Sequence, residues 1–311
     1  MQVERGLRDG APVDPAVAPA VVTIGSFDGV HRGHAAILER VHADATKLRA
    51  TAVVMTFDPH PRCVLQPASC PDTLTTVEEK SELLAQAGID RLLVLPFDVE
   101  TSLWSAELFL ARLSATVGTA RLVVGPDFAF GHKRQGDVAF LRHWGAAHSV
   151  DVDVVELILL DGERVSSSRI RSALARGAVE EAAQLAGHWH FVDAPAQPVG
   201  TGHQHRYRVA SLAVPAGKAL PACGLYASWV RANERWWMAA TRIGPRPAVD
   251  GGSPAVESRL LGFSGDLTTE IVRCCFVAGV GETPADAPGG DELSGQSASQ
   301  VSAVLAATRH P

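Results

Sequence analysis

The stretch Ala20-Val21-Val22-Thr23-Ile24-Gly25-Ser26-Phe27-Asp28-Gly29-Val30-His31-Arg32-Gly33-His34 decides the fold. A short apolar run ending in glycines reads as a buried strand, and the stripe that follows reads as a helix. That stripe is Val30, His34, Ile37, Val41, Ala45 and Leu48, spaced by three or four residues, which puts His34 on the sheet-facing side. His31 and His34, three apart in the first helical turn, point the same way. Two imidazoles at a helix N-terminus, beside glycines that let backbone N–H groups approach, make a site for polyphosphate.

Outward from this element, strand and helix alternate up to about residue 187. Apolar strands are expected at 20–25, 51–57, 91–97, 121–125 and 152–160, with helices near 31–49, 76–88, 105–117 and 137–147. Thr76 with Glu79 forms a capping box that opens the second helix, and Gly88 closes it. Such alternation implies an α/β fold with a Rossmann-like parallel sheet and helices on both faces. Ligands of these sheets bind beyond the carboxyl ends of the strands. After Gly187 the texture changes. Residues 193–205, rich in Pro, Gly, Gln and His, read as a linker. Strands expected at 207–214, 224–231, 235–243, 255–263 and 270–280 then suggest a small antiparallel β-barrel or sandwich. The division expected is an N-terminal extension (1–19), a nucleotide-binding domain (20–187), a small β domain (188–280) and a flexible tail (281–311) with a short helix around Val301, Val304 and Leu305.

Composition excludes several classes. A net charge of −6 over 311 residues argues against general nucleic-acid binding, which needs a basic patch. The charged N-terminus is unlike a signal peptide, and no run reaches membrane-spanning length, so no membrane partner and a cytoplasmic location are expected. Five cysteines without CxxC spacing suggest reduced thiols rather than disulfides, with Cys274-Cys275 as strand filler.

Three further segments carry chemistry. Thr56-Phe57-Asp58-Pro59-His60-Pro61-Arg62 follows the second strand, and its prolines suggest an extended, non-helical loop, or simply a rigid turn with a solvated charge pair. Gly125 to Asp137 (GPDFAFGHKRQGD) sets Asp127, Phe128 and Phe130 beside a basic triplet; the aromatics would line a planar ring or belong to the core. Ser166-Ser167-Ser168-Arg169-Ile170-Arg171 opens a helix ending at Gly177. Serine is an ordinary N-cap, but two arginines in a first turn oppose the helix dipole unless a phosphate sits there.

In this order and spacing, GSFDGVHRGH, TFDPHPR, VVGPDFAFGHKRQGD and VSSSRIR resemble the N-terminal module of the bacterial bifunctional riboflavin kinase/FAD synthetases, which are HxGH nucleotidyltransferases. The resemblance covers about residues 20–187. It implies transfer of AMP from ATP to FMN, giving FAD and pyrophosphate, with Mg²⁺. It implies that His31 and His34 bind ATP phosphates and stabilise the transition state, with Asp127 handling metal or phosphate. Ser167, Ser168 and Arg169 would hold the ATP end, as would Gly25, Phe27, Asp28, Gly29 and Gly33 in the first loop. Phe57, Asp58, Pro59, His60, Phe128 and Phe130 would lie near the flavin. A different phosphorylated acceptor, or a flavin- or nucleotide-binding pseudoenzyme, are the alternatives. The sequence does not give an oligomeric state.

The same family carries a riboflavin kinase barrel downstream. Gly224-Leu225-Tyr226-Ala227, Ile243-Gly244-Pro245-Arg246-Pro247 and Val256 to Leu267 resemble its strands, with Glu257 at the position of the kinase base. Its GFPTAN segment, whose Thr and Asn hold Mg²⁺–ATP, is matched best by Tyr207-Arg208-Val209-Ala210-Ser211-Leu212. Valine offers no oxygen to a hard cation, and the glycine-rich phosphate loop is reduced to Gly200-Thr201-Gly202-His203-Gln204-His205. Loss of kinase activity is therefore expected. Trp229, Trp236 and Trp237 read as barrel core before they read as a flavin-stacking surface.

Overall fold

A computed structural model describes residues 1–7, 19–198, 208–244, 254–263, 267, 271–281 and 295–310. Gly200 to His205, Tyr207, Pro245 to Pro247, Ser264 to Asp266 and residues 282–294 and 311 of the expected tail lie outside these. The chain forms two compact units, Met1–Ser166 and Ser167–Pro311.

In the first unit the chain runs β1 (Gln2–Arg5), β2 (Ala20–Ile24), α1 (Arg32–Leu48), β3 (Thr51–Asp58), α2 (Pro61–Leu65), α3 (Val77–Gln86), β4 (Arg91–Pro96), α4 (Val99–Ser102), α5 (Ala106–Val117), β5 (Thr119–Val124), α6 (Val138–His148) and β6 (Asp151–Val154). The sheet order is β1-β4-β3-β2-β5-β6, and every pairing is parallel. Side chains alternate between its faces. Val21, Val54, Leu92, Val94 and Val123 pack with Leu38 and Val41 of α1 and Leu84 of α3. Val22, Ile24, Val53, Met55, Leu93 and Val124 pack with Leu110, Leu113, Leu141 and Trp144 of α5 and α6. Both faces of each central strand are thus covered, which is why the strands read as continuous apolar runs. The capping box on α3 forms in full.

The structure corrects four expectations. The extension contributes β1, an edge strand pairing with β4 and held by a two-pronged contact from Arg91 to Glu4. Its polar sequence, QVER, carries no apolar signal. The strand expected at 152–160 breaks after Val154, and a small hairpin follows, β7 (Leu159–Leu160) with β8 (Glu163–Arg164). Its turn residues Asp161 and Gly162 both have positive φ, the geometry that suits a two-residue hairpin turn. His60 and Pro61 do not sit in a non-helical loop: His60 caps α2, and Pro61 occupies the helix start, where its missing N–H costs nothing. Finally, Cys63 and Cys70 form a disulfide, because α2 and the tight turn Pro67–Ser69 fold the chain back until their Cα atoms are 4.2 Å apart. Cys274 and Cys275 are buried thiols of the barrel.

The second unit begins with α7 (Ser167–Ala175) and α8 (Val179–Ala186), which the sequence groups with the first domain. Six strands follow: β9 (Phe191–Pro198), β10 (Arg208–Leu212), β11 (Gly224–Ala232), β12 (Arg235–Gly244), β13 (Ala255–Leu260) and β14 (Ile271–Gly281). They close into a barrel in the order β10-β13-β12-β11-β14-β9. β9 replaces the first part of the expected linker: Val192, Ala194 and Ala196 are buried although Asp193 and Pro195 stand between them. The terminal helix α9 (Gly295–Ala306) buries Val301 and Leu305. Trp229 is buried, and Trp236 and Trp237 are half-buried. No helix among the described residues is long and apolar enough to cross a membrane.

Candidate active site

The order of the parallel sheet fixes where a ligand would bind. From β2 the chain winds through β3 and β4 to one side, then returns to place β5 and β6 on the other. The switch point therefore lies between β2 and β5, and the crevice beyond its strand ends is the binding site of an open α/β sheet. The loop after β2 carries the two histidines, and the loop after β5 carries Asp127. The segment Phe57 to His60 ends β3, next to β2.

His31 is the N-cap of α1. Its Nδ1 accepts the His34 N–H at 3.3 Å, so a ring proton resides on Nε2. The His31 and His34 rings stack at 3.6 Å, and Phe27 lies against His34 at 4.9 Å. Burial first, then the charges of His31, Lys80 and Arg164, hold the His34 pKa well below that of a free imidazole. His34 is thus neutral at physiological pH. Its Nδ1 is buried without a hydrogen-bond partner among the described residues. A Cβ on Gly33 would stand 3.2 Å from the His31 ring and press on it.

The remaining residues of the first loop serve the loop itself. Asp28 is buried, and its Oδ1 accepts from the N–H groups of Leu74 and Thr75 at 2.8 and 3.1 Å. Gly29 has φ +80° and donates its N–H to Thr75 Oγ1 at 3.1 Å. Phe27 is in the core, and a Cβ on Gly25 would press on its ring at 3.1 Å.

Asp127, exposed at the end of β5, pairs with Arg164 of β8. Phe57 is half-buried edge-on to Phe97. Asp58 pairs with Arg5 at 3.2 Å, Pro59 is exposed, and the His60 Nδ1 accepts from Arg62 N–H. Phe128 is half-buried and stacks on Phe130. Phe130 itself is core, packed with Phe109 and Phe140. Ser167, Ser168 and Arg169 form the first turn of α7 and belong to the second unit.

Two residues escape sequence reasoning. Arg164 lies just past the strand expected at 152–160, in the second strand of the small hairpin, and nothing local marks it as facing Asp127. Lys80 is hidden in an ordinary helical stripe. It is buried, and its Nζ donates to Ser26 O at 2.7 Å and to Thr56 Oγ1 at 3.1 Å.

In the barrel, β10 and β13 pair with Ser211 directly opposite Glu257 and Val209 opposite Arg259. Arg242 of β12 stands opposite Glu257 on its other side.

Comparison with known proteins agrees with this division. Residues 14–169 match the FAD synthetase family, and residues 196–284 match the riboflavin kinase family. The bifunctional riboflavin kinase/FMN adenylyltransferase of Pseudomonas fluorescens is 34% identical over 284 residues, 89% of this chain and 88% of the relative. The Escherichia coli K12 protein of the same description is 32% identical, over 79% of this chain and 80% of its own. A solved chain described as a macrolide-efflux protein from Streptococcus pneumoniae superposes with a TM-score of 0.83 over 98% of both chains; at 23% identity it speaks for the fold alone. This chain belongs to the bifunctional riboflavin kinase/FMN adenylyltransferase family, and is a nucleotidyltransferase enzyme.

Proposed function

We propose that this chain transfers AMP from ATP to FMN and that its barrel no longer phosphorylates riboflavin. In the transfer, an oxygen of the FMN phosphate forms a bond to the α-phosphorus of ATP. The bond to the β-phosphate oxygen breaks, and pyrophosphate leaves. Such a reaction needs positioning and charge stabilisation more than covalent help. The observation that carries the reading is the stacked His31–His34 pair at the switch point, with His34 keeping a buried nitrogen unpaired among the described residues. Donors fixed before the substrate arrives are worth most where charge develops.

In this reading His31 and His34 hold the transferring phosphates. Asp127 and Arg164 neutralise one another until a nucleotide separates them. Ser167, Ser168 and Arg169 attend the ATP end, and the half-buried Phe57 and Phe128 attend the flavin. Phe130 supports Phe128 from the core. Among the described residues no three His, Cys, Asp or Glu side chains cluster as a metal cage. Asp127 is the carboxylate that would face a Mg²⁺ ion brought in with the nucleotide. When bound, the ion would neutralise phosphate charge.

Loss of the kinase rests on β10. Opposite Glu257 stands a single hydroxyl, Ser211, and the place of the second metal-holding side chain is taken by Val209. A retained kinase is the second reading, favoured by the riboflavin kinase match over residues 196–284 and by the bifunctional relatives. One experiment separates the two: purified protein with Mg²⁺ and ATP, given FMN or riboflavin in parallel and analysed by chromatography. FAD from FMN with no product from riboflavin is expected. FMN formed from riboflavin would restore the kinase, and no FAD from FMN would overturn the adenylyltransferase reading.

A further inference from the structure

We propose that Lys80 is a positioning residue for AMP transfer: its buried ammonium fastens the loop after β2 to the end of β3, the two segments on which nucleotide and acceptor phosphate would sit. The inference rests on the adenylyltransferase reading of the site. Residues 74–80 form a brace behind the first loop. Leu74 and Thr75 hold Asp28, Thr75 holds Gly29, and Lys80 reaches past both to the Ser26 carbonyl. The same Nζ reaches Thr56, two residues before the Asp58 that ends β3.

A neutral side chain would serve a purely structural clasp better. Thr56 Oγ1 already donates to Ser26 O at 3.0 Å, so the carbonyl is satisfied without lysine. Burying an ammonium, by contrast, is expensive. Burial lowers the Lys80 pKa to about 8, although Asp28 and Asp58 oppose the shift. The charged groups around it are few. From the first loop and α1 come Asp28 and His34, the latter disfavoured as a cation by Lys80. From β3 comes Asp58, itself paired with Arg5 of β1. On its own helix Glu79 turns away to accept from the Thr76 N–H. A charge kept against its own desolvation, behind neutral His34, is placed to serve phosphates on the far side of the loop.

The test compares Lys80→Met and Lys80→Gln with the wild type in four measurements: melting temperature, kcat and KM for FMN adenylylation across pH 6–10, ATP affinity, and the NMR titration of His34. Melting temperature is expected to stay the same or rise. Turnover is expected to fall by about 10²-fold, the cost of a misplaced site. The wild-type alkaline limb near pH 8 is expected to vanish, and the His34 titration to move upward. Wild-type kinetics and an unmoved His34 titration in both variants would overturn the proposal while leaving the adenylyltransferase reading intact. A wild type that forms no FAD would sink that reading instead. ATP affinity and the His34 titration would then decide Lys80, and values equal to wild type in both variants would overturn it.

Discussion

The crevice at the switch point and the β10–β13 ladder of the barrel differ chiefly in what stands behind their polar groups. In the crevice each such group is held by another. His31 is fixed by the His34 N–H, Asp28 by two backbone donors, Ser26 by Lys80 and Thr56. In the β10–β13 ladder Glu257 faces Ser211 and Arg242 in register, yet the Glu257 and Ser211 side chains make no hydrogen bond among the described residues. Electrostatic catalysis depends on donors that need no reorganisation at the moment of reaction, and only the first region shows that preparation.

The contrast can be broken at several points. Replacing His31 and His34 together by Ala should reduce FAD formation from FMN by at least about 10²–10³-fold, the usual cost of removing preorganised donors. Circular dichroism should show an intact fold; near-wild-type turnover would remove the crevice from the chemistry. Gly33→Ala is a subtler probe. Within a helix this change normally stabilises by up to about 1 kcal/mol, but here the new methyl meets the His31 ring. We expect an unchanged or raised melting temperature with turnover down about tenfold, equivalent to about 1.4 kcal/mol of barrier. Loss of stability and activity together would mean that the ring position serves folding.

Each unit holds a buried imidazole with a lowered pKa, and the one in the second unit makes a prediction about stability and pH. In the barrel, burial lowers the His190 pKa to about 3, and its Nε2–H donates to the Ala219 carbonyl at 2.8 Å. The unfolded chain, with an ordinary histidine pKa near 6.5, binds the proton first as pH falls. Stability is therefore fully present above about 6.5 and is lost as pH falls from there toward 3. Urea unfolding of the barrel followed by tryptophan fluorescence at pH 7 and pH 5 should show the decline, and His190→Gln should flatten it. An equal slope in that variant would place the titration elsewhere. The smallest expected effect is that of Glu257→Gln, which should leave FAD formation from FMN within about twofold of wild type, the scale of a surface change. A large loss in that assay would show that the barrel carboxylate still serves the chain's chemistry.

Much of this was legible in one dimension. Helices α1, α3, α5 and α6 announce themselves by spacing and caps, and β2 to β5 by apolar runs, because helical and strand periods differ and both sheet faces need cover. The HxGH loop is recognisable because its glycines, histidines and strand–helix setting fall within a few consecutive residues. β1 and β9 were not legible: QVER and FVDAPAQP earn their place by pairing with distant strands, and pairing leaves no local period. Nor was the disulfide, which depends on a fold-back rather than on a cysteine spacing.

By itself, then, the sequence determined the fold class, the family and the residues proposed for a phosphate site, since these follow from local periodicity and contiguous motifs. Only the tertiary structure decided which of them face the crevice. It gave Phe130 to the core and Asp28 to the loop's own scaffold, set Arg164 against Asp127, and brought Lys80 behind the histidines. Those outcomes turn on contacts between residues tens of positions apart, and burial and hydrogen bonding at such separations are properties of the packed sheet, not of any stretch of chain.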